Sequence, residues 1–263
     1  MRRLAIWMVS VVVLGGCAVR QEPHPLRVSV PSETPPLSHL MRAVEARRDG
    51  IQSLRAVARM RYTSPHESRK AKQIIIAERP DRLRLEVLSP FGTVFVLAAS
   101  DGTLAAYSRD EATVYRGSAS PENLARYAGV DLPVAMAIDL LLGTPPVDAA
   151  VGGVVSRSEE GVELWQNRAR GTQVTWFTAL LEPIRYEQRD EEGYVQLRAT
   201  FDAYASVDGL RLPTLLDLEL PASSERIEIT LRDPEVNPVL ASSVFALETP
   251  PGSREVELDR VLH

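Results

Sequence analysis

Over most of the chain, apolar and polar residues alternate one by one, which is the period of a β-strand with one buried face. Five segments show the pattern clearly, and their apolar positions are Leu54, Ala56, Ala58, Met60 and Tyr62; Leu83, Leu85 and Val87; Val195, Leu197, Ala199 and Phe201; Leu216, Leu218 and Leu220; and Ile227, Ile229 and Leu231. One apolar and one wet face per strand is typical of an antiparallel sheet. The pattern therefore predicts a mainly β (α+β) fold.

Short turn sequences separate several of these strands. Ser100-Asp101-Gly102, Glu191-Glu192-Gly193 and Val207-Asp208-Gly209 each place a glycine between two predicted strands. Glycine adopts positive φ without steric strain, as tight hairpin turns require. Hairpins repeated along one chain predict a single curved sheet or a barrel.

Two segments with a helical period interrupt or precede the strands. Residues 37–51 place their apolar side chains near one helical face, with charged residues elsewhere. Further on, Ser120 is a good N-cap and Pro121 suits the first helical position, which predicts a helix to about Tyr127.

A third helix is predicted from about Pro133 to Leu142, where Gly143 ends it. This helix is apolar nearly all round, and Asp139 is its only charged residue. Such a helix must be covered on several sides. Two interpretations follow: the helix plugs the mouth of the curved sheet, or it is an ordinary core helix.

The first residues have the pattern of an export signal. Two arginines precede the apolar residues 4–14, a stretch shorter than the roughly 20 residues of a membrane-spanning helix. The chain's single cysteine ends the sequence Leu14-Gly15-Gly16-Cys17, which resembles the lipobox of bacterial lipoproteins. The alternative is a plain signal peptide followed by a chance cysteine. The resemblance implies a covalent lipid on Cys17 that fastens the protein to a membrane surface.

These patterns divide the chain into four segments. Residues 1–16 are the predicted lipoprotein signal peptide, and the proline-rich residues 17–36 are the acylated cysteine and a flexible tether. An ordered arm packed on the domain is the alternative for the tether. Residues 37–250 form the predicted folded domain, and residues 251–263 a polar C-terminal tail. Alanine, not aspartate, follows the cysteine, which by the lipoprotein resemblance favours the periplasmic face of the outer membrane.

Composition and motifs exclude several classes of function. The net charge of −5, with both signs interspersed, argues against a nucleic-acid partner. With Cys17 committed to lipid, no thiol remains for a disulfide, for catalysis or for a cysteine metal site. None of the four histidines lies in a metal or nucleophile motif, and GxSxG, HExxH and phosphate-loop motifs are absent. We therefore expect a binder or carrier, not an enzyme, with no cofactor besides the covalent lipid, although a catalytic pair assembled from distant strands stays open.

Several segments, read in order, resemble the LolA/LolB superfamily of periplasmic lipoprotein carriers, and its anchored outer-membrane receptor LolB most of all. Residues 81–93, with Pro90-Phe91-Gly92 at their centre, resemble a strand, a protruding loop and a returning strand of that receptor. Residues 131–146 are similar to the family's lid helix with its Leu-Gly-x-Pro ending. Beyond residue 146, the strand rhythm and the ending Val244-Phe245-Ala246-Leu247 support the resemblance.

The resemblance implies an unclosed antiparallel barrel, made from a single curved sheet, with helices covering its open mouth and an apolar cavity inside. It also implies a function: the protein accepts acylated lipoproteins from a soluble periplasmic carrier and helps insert them into the outer membrane. We expect a monomer. Phe91 takes the place of the receptor's exposed loop leucine, unless it tucks into the core instead. The residues expected to bind acyl chains are Phe91, Met60, Leu85, Val87, Val134, Ile138 and Leu141.

Two other functions stay open. A lipoprotein of the same fold could bind another lipid or a glycolipid and take no part in protein sorting. A structural lipoprotein could instead dock an envelope complex through its sheet edge, and such a protein would have no internal apolar cavity.

Overall fold

The computed structural model describes residues 33–259, which form one large sheet and three α-helices. The helices are α1 (Leu37–Gly50), α2 (Pro121–Ala128) and α3 (Val134–Leu141), and a 3₁₀ turn covers Ser242–Phe245. The strands are β1 (Ser53–Thr63), β2 (Ser68–Glu78), β3 (Arg82–Ser89), β4 (Gly92–Ser100), β5 (Thr103–Ser108), β6 (Thr113–Ser118), β7 (Val154–Ser158), β8 (Gly161–Asn167), β9 (Thr172–Phe177), β10 (Pro183–Arg189), β11 (Val195–Val207), β12 (Leu210–Leu220), β13 (Glu225–Val236) and β14 (Arg254–Glu257). The signal peptide, Cys17 and most of the tether predicted from the sequence lie outside the described residues.

The fourteen strands form one open sheet in the order β14-β6-β5-β4-β3-β2-β1-β13-β12-β11-β10-β9-β8-β7. Two meanders, β1 to β6 and β7 to β13, meet at the antiparallel pair of β1 and β13. Because β14 and β7 are not paired with each other, the barrel is unclosed. The predicted fold is confirmed: a mainly β chain with a single curved sheet, an open barrel and helices.

Local sequence explains the hairpins at two of the predicted turns. Asp101 and Gly102 join β4 to β5 with φ values of 50° and 75°. Asp208 and Gly209 join β11 to β12 with φ values of 49° and 81°. Two consecutive residues at positive φ make the type I′ turn, whose twist matches that of the flanking strands.

One edge of the sheet differs from the sequence prediction. The polar tail predicted over residues 251–263 contains Arg254–Glu257, which form β14 and pair in parallel with β6. The carboxylate of Glu255 forms an ion pair with the guanidinium of Arg116, and Leu258 is buried beside them. Four mostly polar residues show no apolar alternation, so their pattern carries no strand signal. The sheet is consequently mixed and not wholly antiparallel.

The main core lies between the inner, concave face of the sheet and the helices α2 and α3. The strand register aligns apolar side chains on that face, with Leu85 directly opposite both Ile75 and Leu97. Six of the eight residues of α3 are buried, including Ile138 with no exposed surface. α3 therefore fills the concave face and is also part of the core, so the two interpretations of this helix describe one arrangement.

A smaller core lies beneath α1, where Leu40 and Val44 pack against the inner face of β8 and β9. Their partners on the sheet are Val162, Leu164 and Phe177, all buried. α1 thus covers the β7–β9 side of the half-barrel, while α2 and α3 cover the β2–β5 side.

Candidate functional site

An apolar cavity lies between α2, α3 and the inner face of the sheet. Its volume is about 50 Å³. The wall consists of apolar side chains apart from one glutamine, and it is formed by Met60, Gln73, Ile75, Leu83, Leu85, Leu124, Ala128, Val130, Ala137, Leu141, Leu216, Leu218, Ile227 and Ile229. Strands from both meanders contribute, because the β1–β13 pair lies in the middle of the wall.

The structure brings three of the predicted binding residues to this cavity. Met60 on β1, Leu85 on β3 and Leu141 on α3 all line it. Val134 and Ile138 are buried in the main core on the same helix without lining the cavity.

Val87, the remaining predicted wall residue, lies one inward position beyond Leu85 on β3. There it pairs with Gln73 on β2 and with Phe95 on β4. Val87 is partly exposed, because this position is at the end of the strands where the sheet opens. It belongs to the approach to the cavity and not to its wall.

The sequence predicts only three of the fourteen residues that line the cavity. Leu216, Leu218, Ile227 and Ile229 on β12 and β13 line it, although their alternation was visible. Nothing in the sequence pairs β13 with β1, so the pattern alone does not place them beside Met60. Ala137 of α3 also lines the cavity, but nothing in the sequence distinguishes this small residue as part of a wall.

Next to the cavity, three aromatic rings cluster at the same end of the sheet as Phe91. The ring centroids of Phe95 and Tyr127 are 6.3 Å apart, and those of Tyr115 and Tyr127 are 5.4 Å apart. These residues line an open depression of about 600 Å³, which Arg69 and Arg126 also border. The approach to the half-barrel is therefore aromatic, and its rim carries both cationic side chains and the carboxylate of Glu111.

Phe91 occupies the two-residue turn between β3 and β4, and 86% of its surface is exposed. The turn is held in place from both sides. The Ser89 hydroxyl donates to the Gly92 carbonyl at 2.9 Å and accepts from the Phe91 amide at 3.2 Å. Arg109 donates to the Phe91 carbonyl at 3.1 Å. An ordered turn thus presents an aromatic side chain to the surroundings.

A buried ion pair ties α3 to the opposite end of the sheet. Asp139 of α3 pairs with Arg79, which precedes β3 and also donates to the Ile51 carbonyl at 3.0 Å. Burial, together with the nearby guanidinium groups of Arg48 and Arg47, lowers the pKa of Arg79 to about 10. At neutral pH the arginine is still charged, so Asp139 has a cationic partner inside the core.

The cavity is small for a ligand-binding site. A cavity of about 50 Å³ is much smaller than the roughly 300–1,000 Å³ of ordinary ligand pockets. An acyl chain therefore does not fit while α3 lies on the concave face. The described helices and strands form a closed arrangement, and displacing α3 is the simplest way to enlarge the cavity.

Within residues 33–259, no group of three or more histidine, cysteine or acidic side chains is placed to hold a metal ion. In the same part of the chain, no helix combines the length and the apolar character needed to cross a membrane.

Several solved structures are similar to this chain over most of its length. A DUF1329 family protein from Desulfovibrio piger is 14% identical, with a TM-score of 0.54 over 80% of this chain and 95% of the other. A LolA superfamily protein from Nitrosomonas europaea is 14% identical, with a TM-score of 0.53 over 82% and 99%. A putative outer membrane lipoprotein-sorting protein domain from Vibrio parahaemolyticus is 13% identical, with a TM-score of 0.50 over 79% of this chain and 94% of the other.

No protein-family model and no curated protein sequence matches the chain. At such low identities, the likeness to solved structures establishes the fold alone. The chain therefore has an open half-barrel fold similar to that of these solved structures, and this is the fold that the sequence resemblance implied.

Proposed function

We propose that this protein is a lipoprotein anchored through Cys17 to the periplasmic face of the outer membrane. It accepts the acyl chains of other lipoproteins from a soluble periplasmic carrier and helps insert them into that membrane. The transfer is physical: no covalent bond is made or broken, so the protein is not an enzyme. The proposal goes beyond the fold to the receptor role of the LolB branch.

The observation that carries the proposal is the apolar cavity beneath α3. Met60, Leu85 and Leu141 belong to a wall whose only polar member is Gln73. Transfer of one methylene from water to an apolar site is worth about 0.8 kcal/mol, so a chain of about 15 methylenes gains roughly 12 kcal/mol. An acyl chain will accordingly leave water for such a surface once α3 gives access.

The exposed turn supports delivery in the same direction. Phe91 lies at the same end of the sheet as the aromatic cluster of Phe95, Tyr115 and Tyr127. An acyl chain leaving the cavity past Val87 would meet apolar and aromatic side chains before the bulk solvent. This path connects the cavity to whatever surface Phe91 contacts.

Depletion of the protein in cells tests the receptor role. The expected result is accumulation of other lipoproteins in the periplasm or in the inner membrane. A purified assay follows the transfer of an acylated lipoprotein from its soluble carrier into vesicles that hold this protein. Normal lipoprotein localisation after depletion would contradict the proposal.

Mass spectrometry of ligands that co-purify with the protein separates the receptor role from binding of another amphiphile. A lipoprotein acyl chain supports the receptor role, and a glycolipid with unaltered lipoprotein sorting supports the alternative.

A further inference from the structure

A cluster of basic side chains lies on the outer, convex face of the sheet, on the two strands next to the Phe91 hairpin. Arg59 and Arg61 on β1 lie directly opposite Lys72 and Lys70 on β2. All four side chains are exposed. Lys70 and Lys72 are also the only two lysines of the chain. We refer to these four residues as the basic patch.

Other parts of the same convex face carry balanced charges. Arg198 on β11 is 2.8 Å from both Glu187 on β10 and Glu219 on β12. Arg226 on β13 pairs with Asp217 on β12. Arg198 and Arg226 thus have acidic partners on neighbouring strands, whereas Arg232 on β13 has no ion pair among the described residues.

The basic patch lacks that balance. Arg61 has one acidic neighbour, Glu228 on β13, at 3.6 Å. Within residues 33–259, no ion pair of Arg59, Lys70 or Lys72 is present. The patch therefore concentrates positive charge on a chain whose net charge is −5.

The ordinary explanation for such a cluster does not apply here. Lysines often protect the edge strand of a sheet from pairing with another chain, but β1 and β2 lie in its middle. Like charges that face each other across two strands also destabilise the sheet. The pairs Arg61–Lys70 and Arg59–Lys72 both have this arrangement. The cluster thus opposes folding, and an external anionic partner would compensate for it.

The register places the patch beside the exposed turn. Lys72 on β2 lies opposite Leu88 on β3, and the turn containing Phe91 begins two residues after Leu88. Lys70 lies two residues further along β2 toward the same end of the sheet. An apolar side chain and a group of cations therefore share one end of the molecule.

We propose that the basic patch binds the anionic phospholipid headgroups of a bilayer and so holds Phe91 against the membrane. The inference rests on the proposed function, because it supplies the orientation in which cargo would leave the half-barrel. Each basic residue held at an anionic lipid surface strengthens binding about fivefold. The salt bridges of Arg198 and Arg226 leave these two arginines less available to a bilayer, and the exposed Arg232 on β13, opposite Val57, adds an unpaired cation beside the patch.

The test uses the protein as cells produce it, reconstituted into vesicles of phosphatidylethanolamine with or without about 30% phosphatidylglycerol. The variant Phe91→Trp reports contact with the membrane through quenching by brominated lipids. The native Trp165 and Trp176 give the background, which is measured in the protein without the substitution. We expect stronger quenching in vesicles that contain phosphatidylglycerol than in vesicles without it. This difference should disappear in about 0.5 M salt, because the Debye length there is only about 4 Å and the attraction between the patch and the headgroups is screened.

The decisive variant adds Lys70→Glu and Lys72→Glu to Phe91→Trp. Quenching with phosphatidylglycerol should fall to the level seen without it. Unfolding is not expected, because the substitutions convert two like-charge pairs into opposite-charge pairs with Arg61 and Arg59. Thermal unfolding checks this point.

The matched control carries Arg42→Glu and Arg170→Glu, two exposed positions outside the basic patch, and changes the net charge equally. Its quenching should stay high. Equal loss in the control, or quenching independent of phosphatidylglycerol, would overturn the inference. If the lysine variant blocks cargo transfer equally in vesicles without anionic lipid, the patch binds the carrier protein and the inference is wrong. If wild-type protein transfers no cargo at all, the proposed function fails instead.

Discussion

Asp139, the only charged residue of α3, is ion-paired inside the core with Arg79 from the turn between β2 and β3. The two side chains are 8% and 5% exposed. Arg48 of α1 approaches the same carboxylate to 3.3 Å, and its side chain is 43% exposed. One end of the lid-like helix is thus held by charge, while its other buried residues are held by apolar packing.

Removing Arg79 should destabilise the protein strongly. The variant Arg79→Met leaves Asp139 with the partly exposed Arg48 as its remaining ion-pair partner, and breaking a buried pair from one side costs about 3–5 kcal/mol. The free energy of unfolding, measured in urea, checks this. The double variant Arg79→Met with Asp139→Leu should recover most of the loss. Equal destabilisation of the single and double variants would show that packing, not charge, holds this end of α3.

Truncating a side chain of the cavity wall should lower the free energy of unfolding more than truncating a side chain on the outer face of the same strand. Ile75 is fully buried and lines the cavity, so Ile75→Ala should cost about 2–5 kcal/mol. Its neighbour Ile74 is only partly buried on the opposite face, and Ile74→Ala is the matched control. We expect a loss under about 1 kcal/mol in the control. Similar losses at both positions would contradict the assignment of the inner face.

A charge at the exposed turn should impair delivery without affecting the fold. Phe91→Glu changes a residue that is 86% exposed, so the free energy of unfolding should change by less than about 0.5 kcal/mol. Cargo transfer into vesicles should fall severalfold, because a carboxylate enters the apolar boundary of a bilayer unfavourably. Leu180→Glu is the control, at a residue 79% exposed in the loop between β9 and β10. If the Phe91→Glu variant transfers cargo as well as the unsubstituted protein, the exposed turn has no role in delivery.

Stability should decrease in acid through the outer-face charges. Burial raises the pKa of Glu187, but hydrogen bonds from Arg198 and Arg189 outweigh it and hold the pKa below the ordinary 4.5. A carboxylate with a lowered native pKa stabilises the fold above its unfolded pKa. That contribution is lost as the pH falls through the native pKa. Glu187→Gln should therefore flatten the fall of unfolding free energy below about pH 4.5, and an unchanged slope would contradict this role.

The sequence was most informative where burial imposes a period of two. Met60 and Leu85 were placed on the inner face because alternation fixes which residues share a side of a strand. Val87 lies on the same face of β3 as Leu85, but at the end of the strand where the sheet opens. The alternation shows which face a residue occupies and does not show how far along the strand the cavity extends. On α3, the nearly uniform apolar pattern could not separate Leu141, which lines the cavity, from Ile138, which does not.

The alternating pattern does not predict which strands pair when they are far apart in the sequence. Ile229 completes the wall beside Met60 only through the register of β13 with β1. The buried partner of Asp139 was also hidden, because a lone arginine before a proline gives no sign that it points into a core. The parallel strand β14 is accompanied by the ion pair of Glu255 with Arg116, and such a charge pair has no periodicity to detect.

The pairing of β1 with β13 joins a strand that is synthesised early to one that is synthesised late. The strand that completes the wall beside Met60 is therefore made after most of the domain. Contacts between distant parts of a chain form slowly. Until β13 is synthesised, the inner edge of β1 lacks its partner strand, and the apolar side chains of β1 around Met60 lack the half of the wall that β12 and β13 supply.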